Sequence, residues 1–339
     1  MASDSDTESV SVPEQTSELA RGWLRKHTSF FEEDDTLDGA SKIHESFLLG
    51  VYVICLPKRL ENVKSFCRIL GLKPRIMRAI DKNTLNFQEL VRLNLVTNQF
   101  ATERNRGRIA CHMSHVAALL HALESNPGAG ANQFVFVLED DISLDGESPT
   151  SASTRIYRFM KQVRQLENKK APKLAFVGYC YESKEVMIRG AVAREVLKMN
   201  QPKCRHAYGA NPGAIHMLLD RTLPQWFNGD EIYSSLIFYG ALDAYGMERP
   251  AIWQDRATLG TNIGNDSLEL PLFSDPFERE LKAEQDTKED GDGNAWVVPT
   301  FATLGALLLI GLIVTGVIIA QKNRNKSKNT KKKSQRPKK

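Results

Sequence analysis

Three consecutive acids, Glu139, Asp140 and Asp141, follow directly on the apolar run Phe134-Val135-Phe136-Val137-Leu138. A short run of aromatic and β-branched residues reads as a buried strand, so the acids fall at its end. Carboxylates in a tight turn suit a hard divalent cation, Mg²⁺ or Mn²⁺, and a nucleotide diphosphate needs such a cation between its own charge and the protein's. Acidic turns after strands are also ordinary solvated loops, and the triplet alone does not separate the two readings. A second group stands upstream in Cys111-His112-Met113-Ser114-His115. Helix N-termini favour anions, so Ser114 and His115 are placed to face a diphosphate or an acceptor hydroxyl, while a packed histidine bonded to backbone explains His115 equally well. A zinc site from Cys111, His115, Cys204 and His206 would use Cys-x3-His and Cys-x-His spacings, neither standard for structural zinc.

The elements that must position these groups alternate. Phe47 to Leu56 is a β-rich apolar run stopped by Pro57, and a helix carrying Val63, Phe66, Cys67 and Leu70 closes at Gly71. Residues 75–80 predict a second strand ending at Asp81. After Gly107, the spacing of Ile109, Met113, Val116, Leu120 and Leu123 predicts a helix ended by Asn126-Pro127-Gly128. A further strand is expected over 174–179, and a helix opened by Asn211 as N-cap with Pro212 in its first turn. Strands alternating with helices imply one α/β domain over 46–275 with a mostly parallel central sheet, its ligands beyond the carboxyl ends of the strands. Residues 1–45 carry acidic clusters and little periodicity, and read as a mostly disordered arm with a short helix near Trp23 to Phe31.

Composition narrows the class. The 339 residues are 42% hydrophobic and 25% charged, which excludes fibrous and wholly disordered chains. Ten Lys or Arg lie in 321–339 with no acid, so a formal charge of +4 leaves −6 on the rest, and the basic pI is no sign of nucleic-acid binding. The 25 uncharged residues of 296–320 are long enough for one C-terminal transmembrane helix, following an acidic stem over 276–295. A buried core helix of that length would ordinarily carry a polar face and would not lead into a basic tail. Five cysteines are too few and too scattered for a disulfide scaffold, and the first residues form no secretory signal.

The run Gly107-Arg108-Ile109-Ala110-Cys111-His112-Met113-Ser114-His115, followed by Leu138-Glu139-Asp140-Asp141, resembles glycosyltransferase family 25, which includes lipooligosaccharide galactosyltransferases and collagen hydroxylysine galactosyltransferases. The likeness extends to Val53-Ile54, Ala79-Ile80-Asp81, His206-Ala207-Tyr208, Gly213-Ala214, Leu218-Leu219 and Asp230 with Ile232, and ends near Tyr245 to Gln254. It implies a GT-A-like fold, a UDP-sugar donor, Mn²⁺ (or Mg²⁺) and inversion at the anomeric carbon. By the same resemblance Glu139 and Asp141 are metal ligands, and Asp140, Ser114 and Asp81 belong to the donor site. Asp230 is the general base, and His115 stands beside it in the catalytic set. Two positions depart from the family. Arg108 stands where an acid or small residue is more usual, and Pro57-Lys58-Arg59 replaces a polar loop near the donor, placing Arg59 among the donor contacts.

The resulting expectation is a membrane-anchored hexosyltransferase acting on a hydroxyl of a glycan, glycolipid or hydroxylysine-containing protein. Two alternatives stand beside it. One is an inactive family-like surface or adhesion protein, which would be free to lose the acids and the Ser-His pair. The other is a metal-dependent hydrolase or phosphotransferase, for which no Gly-x4-Gly-Lys-Ser/Thr loop exists. The basic tail favours the cytoplasm, which places the catalytic domain on the lumenal or exoplasmic side, although no leader carries it across. Asn265-Asp266-Ser267 and Asn325-Lys326-Ser327 are glycosylation sequons on either side of the span.

Overall fold

The structure, a computed structural model, describes residues 14–32, 48–166, 171–180, 188–193 and 195–255. The first strand, β1 (Leu48–Cys55), becomes fully buried towards its end, as an apolar strand in the middle of a covered sheet should. Helix α2 (Leu60–Leu70) buries Val63, Phe66, Cys67 and Leu70 and stops at Gly71, which takes a left-handed φ of 62°. Then follow β2 (Pro74–Arg78), α3 (Phe87–Arg92) and the long α4 (Arg106–Ser125), which leads to β3 (Phe134–Glu139) and the short β4 (Ile142–Ser143).

The second half supplies α5 (Pro149–Gln165), β5 (Lys173–Cys180), β6 (Ile188–Ala193), β7 (Val196–Met199) and β8 (Lys203–Ala210). It ends with α6 (Pro212–Arg221), α7 (Gly229–Phe238), β9 (Asp243–Met247) and β10 (Trp253–Gln254). The Asn211 cap is present: its Oδ1 accepts from the Ala214 N–H at 2.9 Å and from the Lys173 N–H at 2.8 Å, tying α6 to the start of β5.

Strand order across the main sheet is β2-β1-β3-β8-β5-β9-β7-β6. Parallel pairing of β1 with β2 and β3, and of β5 with β9, leaves these five strands running one way. Only β8, inserted antiparallel between β3 and β5, and β7 beyond β9 run against them. The expected α/β sheet of largely common direction is therefore present, with a reversed strand in its centre that no periodicity announced. Helices α1 (Glu14–His27), α4, α6 and α7 share a core with one face, through residues such as Leu24, Met113, Leu218 and Ile237. Helices α2 and α5 cover the other, through Phe66, Leu70, Phe159 and Val163. The core is thus split by the sheet into two layers.

Of the mostly disordered N-terminal arm expected over 1–45, the described part is ordered, and its helix, α1, starts earlier than the short one expected near Trp23 to Phe31. Within it, α1 buries Ala20, Trp23 and Leu24, and Arg25 pairs with Glu124 of α4 at 2.7 Å. Beyond it the chain runs along the outer edge of β2. Phe31 N–H donates to Ile76 O at 2.9 Å and Arg78 N–H to Ser29 O at 2.8 Å, covering an edge that would otherwise be open. Three buried apolar residues are too few to show as a periodic stripe, so tertiary contact with α4 decides the matter. Among the described residues no helix is long and apolar enough to cross a membrane. The expected stem, span and basic tail lie outside the described residues.

Candidate functional site

Because β1 and β3 are parallel neighbours with connections leaving on opposite faces of the sheet, their carboxyl ends are the position where α/β proteins bind ligands in a crevice. The acidic triplet sits at this crevice, but its three side chains diverge. Asp140 turns towards the loop after β1, accepting from the Leu56 N–H at 2.6 Å and from Arg59 Nη1 at 2.5 Å. Arg59 is itself buried at 6% exposure, so Arg59 and Asp140, both expected at the donor, hold one another and lock the β1 loop to the end of β3.

Asp141 points instead to Gln254, whose Nε2 donates to its Oδ2 at 3.0 Å and lies 3.4 Å from Glu139 Oε2. Its other oxygen, Oδ1, is buried and has no hydrogen-bond partner. Burial, then the neighbouring Glu139 and Asp140, pushes the Asp141 carboxyl up to about 7. Burial and the charge of Asp230 likewise raise Glu139 above the usual carboxylate range. One amide thus spans two carboxylates that burial and repulsion from neighbouring carboxylates hold towards the neutral form, even with Arg59 Nη1 3.9 Å from Asp141 Oδ2.

Gln254 is brought there by the small β4–β10 pair, in which it lies opposite Ile142, and by the Asp255 N–H donating to Asp141 O at 2.6 Å. The segment before it lies against β5, with Ala251 N–H and Ile252 N–H both donating to Val177 O. Gly178 makes this approach possible: a Cβ there would stand 2.4 Å from Ile252 O and 2.5 Å from His206 Nε2. In the sequence, Gln254 stands only at the end of a resemblance, and Gly178 carries no role. A glycine within a strand was the available signal for close backbone approach.

Glu139 Oε1 lies 3.0 Å from His115 Nε2 and 3.8 Å from Cys111 Sγ. The other ring nitrogen, His115 Nδ1, is 3.2 Å from the Tyr208 hydroxyl. Burial, then Arg205, keeps the His115 imidazole neutral by lowering its pKa well below the ordinary value. His115 is fully buried, so any part it plays in proton transfer passes through Glu139. Ser114 also faces inward: its hydroxyl donates to Ala110 O at 2.8 Å and accepts from the Ile80 N–H at 3.0 Å, fixing the corner before Asp81. Asp81 is exposed and caps its own turn through the Asn83 N–H at 2.9 Å.

Asp230 lies in the first turn of α7 and pairs with Arg205 of β8, Nε to Oδ1, at 2.6 Å. Sequence reasoning missed Arg205 because a single basic residue in a strand carries no pattern. It is 4% exposed, donates also to His112 Nδ1 at 3.2 Å, and lies over the Tyr233 ring. Gly229 admits it, since a Cβ there would meet Arg205 Nη2 at 2.2 Å. Burial lowers the Arg205 pKa, but Asp230 and the neighbouring phenols outweigh it and leave the guanidinium firmly charged. The zinc set of Cys111, His115, Cys204 and His206 is not assembled: Cys204 is joined to Cys180 in a disulfide, and His206 Nε2 donates to Ile252 O at 3.1 Å.

The chain matches no protein-family model and no curated protein. The arrangement itself offers oxygen ligands at Glu139, Asp141 and Gln254, a buried cation at Arg205, and a carboxylate at Asp230 close enough to Glu139 to raise its pKa.

Proposed function

We propose that this chain is a metal-dependent hexosyltransferase of GT-A-like architecture that moves a sugar from a UDP-sugar to an acceptor hydroxyl. The observation that carries the reading is the buried, unpartnered Oδ1 of Asp141 at the β1–β3 crevice, beside a second carboxylate of raised pKa. An all-oxygen set of Asp141, Glu139 and the Gln254 side-chain oxygen, once its amide is turned, fits Mn²⁺ or Mg²⁺. When bound, such an ion neutralises charge on the departing diphosphate.

The chain's own residues supply the rest. Arg59 and Asp140 fix the crevice wall, Ser114 fixes the Asp81 corner towards the nucleoside, and Arg205 adds buried positive charge. Asp230 takes the acceptor proton. Pairing with Arg205 at 2.6 Å orients its carboxylate and occupies it, so acceptor binding has to loosen that pair for the base to act. The acceptor is a glycan, glycolipid or hydroxylysine-containing protein, and the domain is held at a membrane by 296–320 on its lumenal or exoplasmic side.

The test incubates the full chain with a panel of UDP-sugars and Mn²⁺ and measures UDP release with and without acceptor. Release with one donor, abolished by EDTA and restored by Mn²⁺, is the expected result. Turnover that persists in excess EDTA, or no turnover with any UDP-sugar, would end the reading.

A further inference from the structure

We propose that Cys111, His115 and Glu139 form a second metal site, distinct in chemistry from the oxygen set around Asp141 and suited to a borderline-soft ion such as Zn²⁺. Cys111 and His115 are four residues apart on α4, so the thiol and the imidazole share one helix face, and β3 delivers the Glu139 carboxylate to them. Sγ, Nε2 and Oε1 all lie within 4.8 Å of one another. Tetrahedral zinc, with Zn–N and Zn–O near 2.0 Å and Zn–S near 2.3 Å, requires ligand separations of about 3.3–3.7 Å. The 3.0 Å from nitrogen to oxygen and 3.8 Å from sulfur to oxygen bracket that range, and the sulfur lies within 4.8 Å of the nitrogen, so modest side-chain adjustment would close the set on an ion.

The donor set decides the ion. A thiolate and an imidazole discriminate against Mg²⁺, Ca²⁺ and Mn²⁺ and favour zinc or its spectroscopic substitute cobalt. The surroundings are those of a metal histidine. With Nδ1 protonated and donating to the Tyr208 hydroxyl, the Nε2 lone pair points at the ion position. Three protein ligands leave a fourth position for water, and partly exposed Cys111 gives an entry route. Occupancy would draw Glu139 away from the Gln254 side, so zinc here acts against the oxygen site.

Titrating the purified full chain with Co²⁺ under non-reducing conditions tests the site without reference to turnover. One equivalent should give a thiolate-to-cobalt charge-transfer band with tetrahedral visible bands, displaced by Zn²⁺. Cys111→Ser should abolish the charge-transfer band, and His115→Gln should weaken binding by at least about tenfold. Absence of the band in the unmodified protein, or its survival in Cys111→Ser, overturns the proposal. Should those variants fail to fold, alkylation of the unmodified protein decides: Zn²⁺ should protect Cys111, and an unchanged rate of modification refutes the site.

Discussion

Asp141 ionises in the folded chain only near pH 7, against roughly 3.9 when unfolded, so its neutral form stabilises the metal-free fold. That stabilisation is complete below about pH 4 and disappears as pH rises through about 7, by up to ~1.4 kcal/mol per pH unit. Buried His112 and His115, whose pKa values are lowered, act oppositely and cost stability as pH falls below about 6.5. The clean measurement is a difference. Asp141→Asn should be as stable as the unmodified chain below about pH 4 and more stable at pH 8 in EDTA, by urea denaturation, while losing nearly all turnover. A parallel pH dependence in both proteins would contradict the assignment. Asp230→Asn separates two roles in the same way. It should lower transfer strongly with UDP-sugar affinity within about twofold. Because Arg205 is left buried without its carboxylate, it should also cost about 3 kcal/mol in the same denaturation experiment.

Two elements hold the site from a distance. The β4–β10 pair carries Gln254 to Asp141, and it rests on the absence of a side chain at Gly178. Gly178→Ala is expected to push Ile252 outward, costing about 1–3 kcal/mol of stability and weakening Mn²⁺ binding measured by titration. Unchanged metal affinity would show that Gln254 is dispensable. Helix α1 works on the opposite flank. Trp23 is 6% exposed and stacks on His27 with ring centroids 3.8 Å apart. Trp23→Ala should lower the unfolding free energy by about 3–5 kcal/mol, as for a large core aromatic, whereas a disordered arm would register no change.

For the whole molecule, the Cys180–Cys204 disulfide bears on the lumenal or exoplasmic placement proposed above. It joins the end of β5 to the start of β8, the strand that carries Arg205 and Tyr208. Structural disulfides persist in oxidising compartments and are rare in the cytosol, which favours the lumenal or exoplasmic side over the cytosolic one. Protease digestion of sealed microsomes should spare the domain until detergent is added, and Asn265 should carry glycan. Digestion without detergent would place the domain in the cytosol. Cys204→Ser should cost about 2–4 kcal/mol in oxidising buffer and nothing further in reducing buffer.

What the sequence by itself determined was local. The strand over 134–138 and the acids after it, the helix of Cys111 and His115, Gly71 as a helix stop and the Asn211-Pro212 opening all rest on neighbours along the chain, where periodicity and capping chemistry operate. The tertiary structure alone decided what each of those residues touches. It reversed β8 in the middle of the sheet, divided three adjacent acids among Arg59, Gln254 and His115, and turned Ser114 inward. It also brought Gln254, 113 positions from Asp141, and Arg205, 93 positions from His112, into the site. Successive strand residues alternate faces and a turn sends each side chain its own way, so contiguity in sequence does not fix convergence in space. Convergence depends on long-range pairings and on glycines such as 178 and 229, whose missing Cβ atoms matter only once the segments they admit have packed against them.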